Sequence, residues 1–185
     1  MDKELKTEFP LGDFALRAWR EDDVAGALEI VLRNRKHLQT YMQWMTDDYS
    51  IDHAHKFIVE AIKNRLNQNT LALAVVRDGV LIGSTGFNRL DWTARVCEIG
   101  YWIDREAEGK GVITRASQAM INYAFGALEM NRVEIRCSSE NSRSAAVAKR
   151  LGFRLEGTLR QVEVLNGSPH DFLVFGLLAE DPRLW

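Results

Sequence analysis

The sequence predicts an α+β fold: a central mixed, mostly antiparallel twisted sheet flanked by helices on both faces. Three observations carry that reading. A block of helical stripes precedes a change to short apolar runs near residue 71. Asp78-Gly79 and Asn166-Gly167 are hairpin signals between such runs. Between the hairpins, strand-like and helical segments alternate, which brings a parallel pair into an otherwise antiparallel sheet.

Taken in order, Phe14–Trp19 reads as the first strand and Glu21–Asp23 as an acidic helix start. Val24, Leu28, Val31 and Leu32 recur at helical spacing. A second helix is expected over Leu38–Trp44. A third covers Ile51–Asn67, with apolar positions at Phe57, Ile58, Ala61, Ile62 and Leu66. Leu71–Arg77, Val80–Asn88 and Val96–Ile103 read as strands. A one-sided stripe from Val112 to Leu128 marks a long helix. Arg132–Cys137 is a strand, and Ser142–Leu151 a helix that stops at Gly152. Phe153–Leu165 and Pro169–Leu178 flank the last turn.

The 185 residues suffice for one domain over 1–185, and no repeat or Pro/Gly/Ser linker divides them. A formal charge of −2 argues against a general nucleic-acid or membrane-surface binder, though not against a local basic pocket. Cys97 and Cys137 are too few and isolated for a disulfide framework and read as buried reduced thiols. His53 and His55 form an H-x-H pair with no third ligand nearby, so no metal is expected. With no leader-like apolar stretch and no run near a membrane span, the expectation is a cytoplasmic protein.

The segment EIGYWIDREAEGKGVIT, Glu98–Thr114, carries the chemistry. Its Gly109-Lys110-Gly111 lies between a strand and a helix start, where unpaired N–H groups and a partial positive charge favour anions. Glycines there let backbone approach a pyrophosphate, and Thr114 adds a hydroxyl. Taken alone, G-x-G before a helix is equally a tight turn with no ligand. It is neither a P-loop nor a G-x-G-x-x-G fingerprint.

Together with N-x-x-S leading to G-F, the segment resembles the acetyl-CoA motifs of GNAT acetyltransferases. EIGYWI, EGKGVIT, NSRSAAVAKRLGF and EGTLRQVEVLNG resemble more narrowly the RimJ/RimL-type ribosomal-protein N-acetyltransferases, over about Leu81–Phe175. The resemblance implies a GNAT-like fold, acetyl-CoA as cosubstrate, and pyrophosphate resting on the backbone of Gly109, Lys110, Gly111, Val112, Ile113 and Thr114. It implies that pantetheine runs beside the strand ending at Trp102 and Ile103, between two splayed strands, and meets the Asn141 side chain. Homodimerisation is a further expectation from it. The chain departs from the common pattern at Glu106, where Gln or Arg is frequent, so the loop leans on backbone donors and Lys110.

Acetyl transfer needs a neutral amine, a polarised carbonyl and a proton for the leaving thiolate. An α-amine with pKa near ~7.8 asks less of a base than a lysine near ~10.4. Many GNAT members carry a tyrosine seven residues after the Asn as the thiolate's acid; Ala148 stands there instead, which raises Ser144 as the candidate acid. Glu163, before the Asn-Gly turn, and Glu98, opening its strand, are the candidate bases. Asn141 equally reads as a helix N-cap. Arg143, Lys149 and Arg150 are candidate partners for the 3′-phosphate, or a solvated basic face. Trp44, Trp92, Tyr101 and Trp102 are core or the wall of an acceptor cleft.

The expectation is therefore acetylation of a protein N-terminus, that of a ribosomal protein. A small-molecule amine is the alternative acceptor, and acetyl-CoA binding without turnover the alternative class.

Overall fold

The computed structural model describes residues 4–183 and 185. Among these residues eight strands form one mixed sheet in the order β1-β2-β3-β4-β5-β6-β8-β7. The strands are β1 (Glu8–Pro10), β2 (Ala15–Ala18), β3 (Leu71–Arg77), β4 (Val80–Asp91), β5 (Val96–Ile103), β6 (Arg132–Ser138), β7 (Arg154–Leu165) and β8 (Ser168–Leu178). Among the described strands only β5 and β6 run parallel. The helices are α1 (Val24–Arg33), α2 (Arg35–Gln39), α3 (Ile51–Leu66), α4 (Val112–Gly126) and α5 (Ser142–Arg150).

Alternation along β3 builds two cores. Leu71, Leu73 and Val75 join the core under α4 and α5, with Phe87, Ile99, Met120, Ile121, Ile135 and Phe175. Ala72, Ala74 and Val76 face the other way, toward Trp19, Ile30, Val31 and Ile58 of the α1–α3 layer. Both hairpins turn where the sequence places them. Asp78 and Gly79 have φ of 50° and 80°, Asn166 and Gly167 of 50° and 77°, the paired positive values of a type I′ turn.

Two elements differ from the sequence reading. The helix expected over Leu38–Trp44 is α2, which ends at Gln39. Thr40 Oγ1 bonds back to Lys36 O at 3.0 Å, and Gln39 Nε2 and Arg35 Nη1 both reach Asp47. These bonds fold the following loop over so that Met45 is buried and Trp44 faces Trp102. Secondly, β1 adds a short edge strand on β2, anchored by buried Phe9, that three residues could not signal. In α3 only Ala54, Ile58 and Ala61 are buried, and the expected core position Leu66 is exposed.

One feature of the sheet positions the site. β5 pairs with β6 only over Val96–Ile99 against Arg132–Ile135. Gly100–Ile103 remain paired to β4 but have no β6 partner. The two parallel strands therefore splay, and β5 offers an unpaired backbone edge beside the gap.

Candidate active site

The loop after β5 turns through a short 3-10 segment, Arg105–Ala107, into α4. Gly109 and Gly111 have φ of 71° and 73°, left-handed values that a side chain resists. Neither glycine, given a Cβ, would meet protein within 4 Å, so the loop's outer surface is open to a ligand. Gly111 is the N-cap of α4 and no side chain caps it. The first N–H groups of α4 thus keep their capacity for an anion. Lys110 Nζ folds back to Glu106 O at 2.8 Å. The loop's acid is Glu108, held between His37 Nε2 at 3.0 Å and Arg143 Nη1 at 2.5 Å. Arg150 Nη1 reaches Thr114 Oγ1 at 3.1 Å, while Lys149 is exposed on α5.

At the splay a cleft of about 1010 Å³ opens through the sheet. Glu98, Glu163, Ser144, Asn141 and Trp102 all line it. Ile103, the stretch Gly109–Thr114, Arg143 and Lys149 do not, and form a separate group around the start of α4 and the outer side of α5. Trp44, Tyr101 and Trp102 line the cleft as well, whereas Trp92 lies outside it and donates to Gln68 O at 2.8 Å. Trp44 sits 6.2 Å from Trp102 and 5.9 Å from Tyr49 between ring centroids, and Tyr49 stacks on His53 at 5.5 Å. One wall of the cleft is therefore an aromatic row.

The two glutamates have different surroundings. Glu98 lies 3.4 Å from Arg136 Nε and accepts from Asn88 Nδ2 at 3.4 Å. Arg136 belongs to a ladder in which Glu134 accepts from Arg89, Arg132 and Arg136, and Arg132 reaches on to Glu156. The side chain of Glu163, half-buried, has no hydrogen bond or ion pair among the described residues. Burial raises its pKa above the usual glutamate value, and the charge of Glu98 adds to the rise. A carboxyl group in that condition can accept a proton nearer neutrality than a solvated one.

Asn141 caps α5, its Oδ1 accepting from Ser144 N at 3.0 Å, which leaves its amide NH₂ for the cleft. Ala148 is fully buried under α5 and presents nothing to the cleft. Sequence reading missed Tyr101 as a polar member of the site. Its phenol lies 2.8 Å from Ser144 Oγ. The signal was available in part: alternation places Tyr101 with Cys97 and Ile99, on the face that α5 covers.

An uncapped helix start, an unpaired β5 edge and a cleft lined by carboxylate and hydroxyl are features that suit a transferase carrying an acyl group from coenzyme A to an amine. The chain belongs to the GNAT acetyltransferase family, whose domain model matches residues 13–154. It is an N-acetyltransferase that takes acetyl-CoA as donor. YdaF of Bacillus subtilis (strain 168) is 34% identical over 167 residues, spanning 90% of this chain and 91% of its own. The ribosomal-protein-serine acetyltransferase of Escherichia coli (strain K12) is 30% identical over 165 residues, 89% of this chain and 92% of its own. Among solved structures, RimL, a ribosomal L7/L12 α-N-protein acetyltransferase in complex with coenzyme A, superposes with a TM-score of 0.89 at 27% identity, covering 92% of this chain and 97% of the other.

Proposed function

We propose that this chain acetylates the α-amine of a protein N-terminus, that of a ribosomal protein, from acetyl-CoA. The observation that carries this is the cleft itself. Its volume stands at the upper end of small-molecule pockets, and its rim residues Trp44, Leu159 and Val162 are exposed. An open trough suits a peptide end better than an enclosed small amine. The names of the E. coli relative and of RimL support the same acceptor class.

In this reading the pyrophosphate rests on the backbone N–H groups of Gly109–Thr114, with Arg143 and Lys149 toward the 3′-phosphate. Arg143 exchanges Glu108 for that phosphate. Pantetheine pairs with the free edge of Trp102 and Ile103 and meets Asn141. The amine nitrogen attacks the thioester carbonyl, the C–N bond forms and the C–S bond breaks. Glu163 takes the amine proton and later returns it to solvent. Ser144 passes a proton to the sulfur and recovers one from solvent, so coenzyme A leaves as the thiol. Glu98, held by Arg136, serves as a fixed charge beside the base rather than as the base. The unit is one cytoplasmic domain over 1–185, and it pairs as a homodimer. The outer edge strand β7, with Leu155 and Val164 exposed away from the cleft, supports the pairing.

The test is a thiol-release assay against N-terminal peptides and small amines, with mass spectrometry of the product. Peptides with a free α-amine should turn over at least tenfold faster than small amines, with acetyl on the terminal nitrogen. Turnover of small amines alone would overturn the acceptor.

A further inference from the structure

A serine hydroxyl is a weak acid that rotates freely, and its use to a leaving thiolate depends on where its proton points. Ser144 Oγ lies 2.8 Å from the Tyr101 phenol, and that phenol is 3.4 Å from the Ser144 carbonyl. We infer that Tyr101 is a positioning residue of the acetyl-transfer site: its O–H donates to Ser144 Oγ and so turns the Ser144 proton toward the sulfur of coenzyme A. The inference rests on the reading of Ser144 as the thiolate's partner.

Three features support it. In a phenol–alcohol pair the phenol is the stronger acid by several pH units and takes the donor role. Burial pushes Tyr101 well above the ordinary tyrosine range, and the Ser144 contact offsets only part of that, so the phenol stays protonated throughout the working pH range. With coenzyme A bound, phenol, hydroxyl and thioester sulfur would form a donor chain in which each bond strengthens the next. The Ser144 backbone does not move to achieve this, because Asn141 Oδ1 holds its N–H at 3.0 Å.

The experiment is a double-mutant cycle of Tyr101→Phe and Ser144→Ala, read as single-turnover acetyl transfer from acetyl-CoA. Tyr101→Phe keeps the ring and should slow transfer roughly three- to tenfold, what one neutral hydrogen bond contributes, with acetyl-CoA affinity by calorimetry unchanged. The double variant should be no slower than Ser144→Ala alone. With a thioester of a more acidic thiol, which needs less help to leave, the Tyr101→Phe defect should shrink toward unity. Wild-type rates in Tyr101→Phe beside a slow Ser144→Ala would overturn the positioning role alone. A Ser144→Ala variant at wild-type rate would overturn the Ser144 reading itself. Losses that add, or a Tyr101→Phe defect independent of the thiol, would make Tyr101 structural. Should Tyr101→Phe fail to fold, Tyr101→Met carries the same comparison.

Discussion

Asn34 and Asp104 are joined across the fold: the Asn34 amide donates to Asp104 Oδ1 at 3.1 Å and to Ile30 O at 2.9 Å. The Asn34 carbonyl oxygen accepts from Arg105 N at 3.0 Å, and Asp104 also accepts from Arg33 and from Glu106 N. Both residues are buried. The end of α1 is thereby fastened to the start of the loop that leads into α4.

Asn34→Ala should loosen that loop while leaving the cleft residues in place. Unsatisfied buried groups cost about 1–3 kcal/mol in stability. Acetyl-CoA affinity should fall severalfold, and single-turnover transfer at saturating acetyl-CoA should stay within about twofold. Thermal denaturation and calorimetry check the two halves separately.

Gly111→Asp should separate binding from folding. Aspartate tolerates left-handed φ better than most residues, so the strain at Gly111 should cost no more than about 1–2 kcal/mol and the fold should be retained. Its charge would stand where the pyrophosphate is bound, and the acetyl-CoA Kd should rise at least tenfold. Unchanged affinity by calorimetry would refute the loop as the pyrophosphate site.

Glu163→Gln should lower turnover by about 10²-fold with acetyl-CoA affinity retained. Because the folded pKa of Glu163 is raised, first by burial and then by Glu98, the ionised form carries a penalty in the native state. That penalty is absent below the unfolded glutamate value, grows as pH rises toward the folded one and is full above it. The variant should therefore be slightly more stable than wild type at pH 7. In the wild type, kcat/KM should fall as acid protonates Glu163, and this limb should vanish in the variant. Wild-type turnover would move the base to Glu98.

Glu134→Gln should destabilise the fold by about 2–4 kcal/mol, because it leaves three guanidinium groups short of their shared carboxylate. Burial opposes ionisation of Glu134, but its hydrogen bonds from Arg136 and Arg132 outweigh that and hold the pKa below the usual glutamate value. A lowered carboxylate contributes stability above its unfolded pKa and loses it as pH falls through the folded one. The difference from wild type should be full at neutrality and shrink below the usual glutamate range. Chemical denaturation at several pH values checks it.

Most of the fold was legible because its signals are local. The strands alternate, Asn166-Gly167 and Asp78-Gly79 permit the required positive φ, and Gly111 opens α4 where strand and helix patterns meet. The end of α2 was not legible. It depends on Asp47 reaching back to Arg35 and Gln39, a contact that helical periodicity over Leu38–Trp44 cannot contain. Nor was Trp92 separable from Trp44 and Trp102, since aromatic residues in strands and loops look alike until their neighbours are known.

The sequence by itself determined the α+β order of elements, the family resemblance and the loop at Gly109–Gly111, because each rests on residues close along the chain. Tertiary structure alone decided which titratable groups share a site. Glu98 is tied to Arg136, Glu163 stands without such a partner, and Tyr101 meets Ser144 from another element. Proton affinity is set by burial and by charges a few ångströms away in space, and the spacing of those groups in sequence carries almost none of that information.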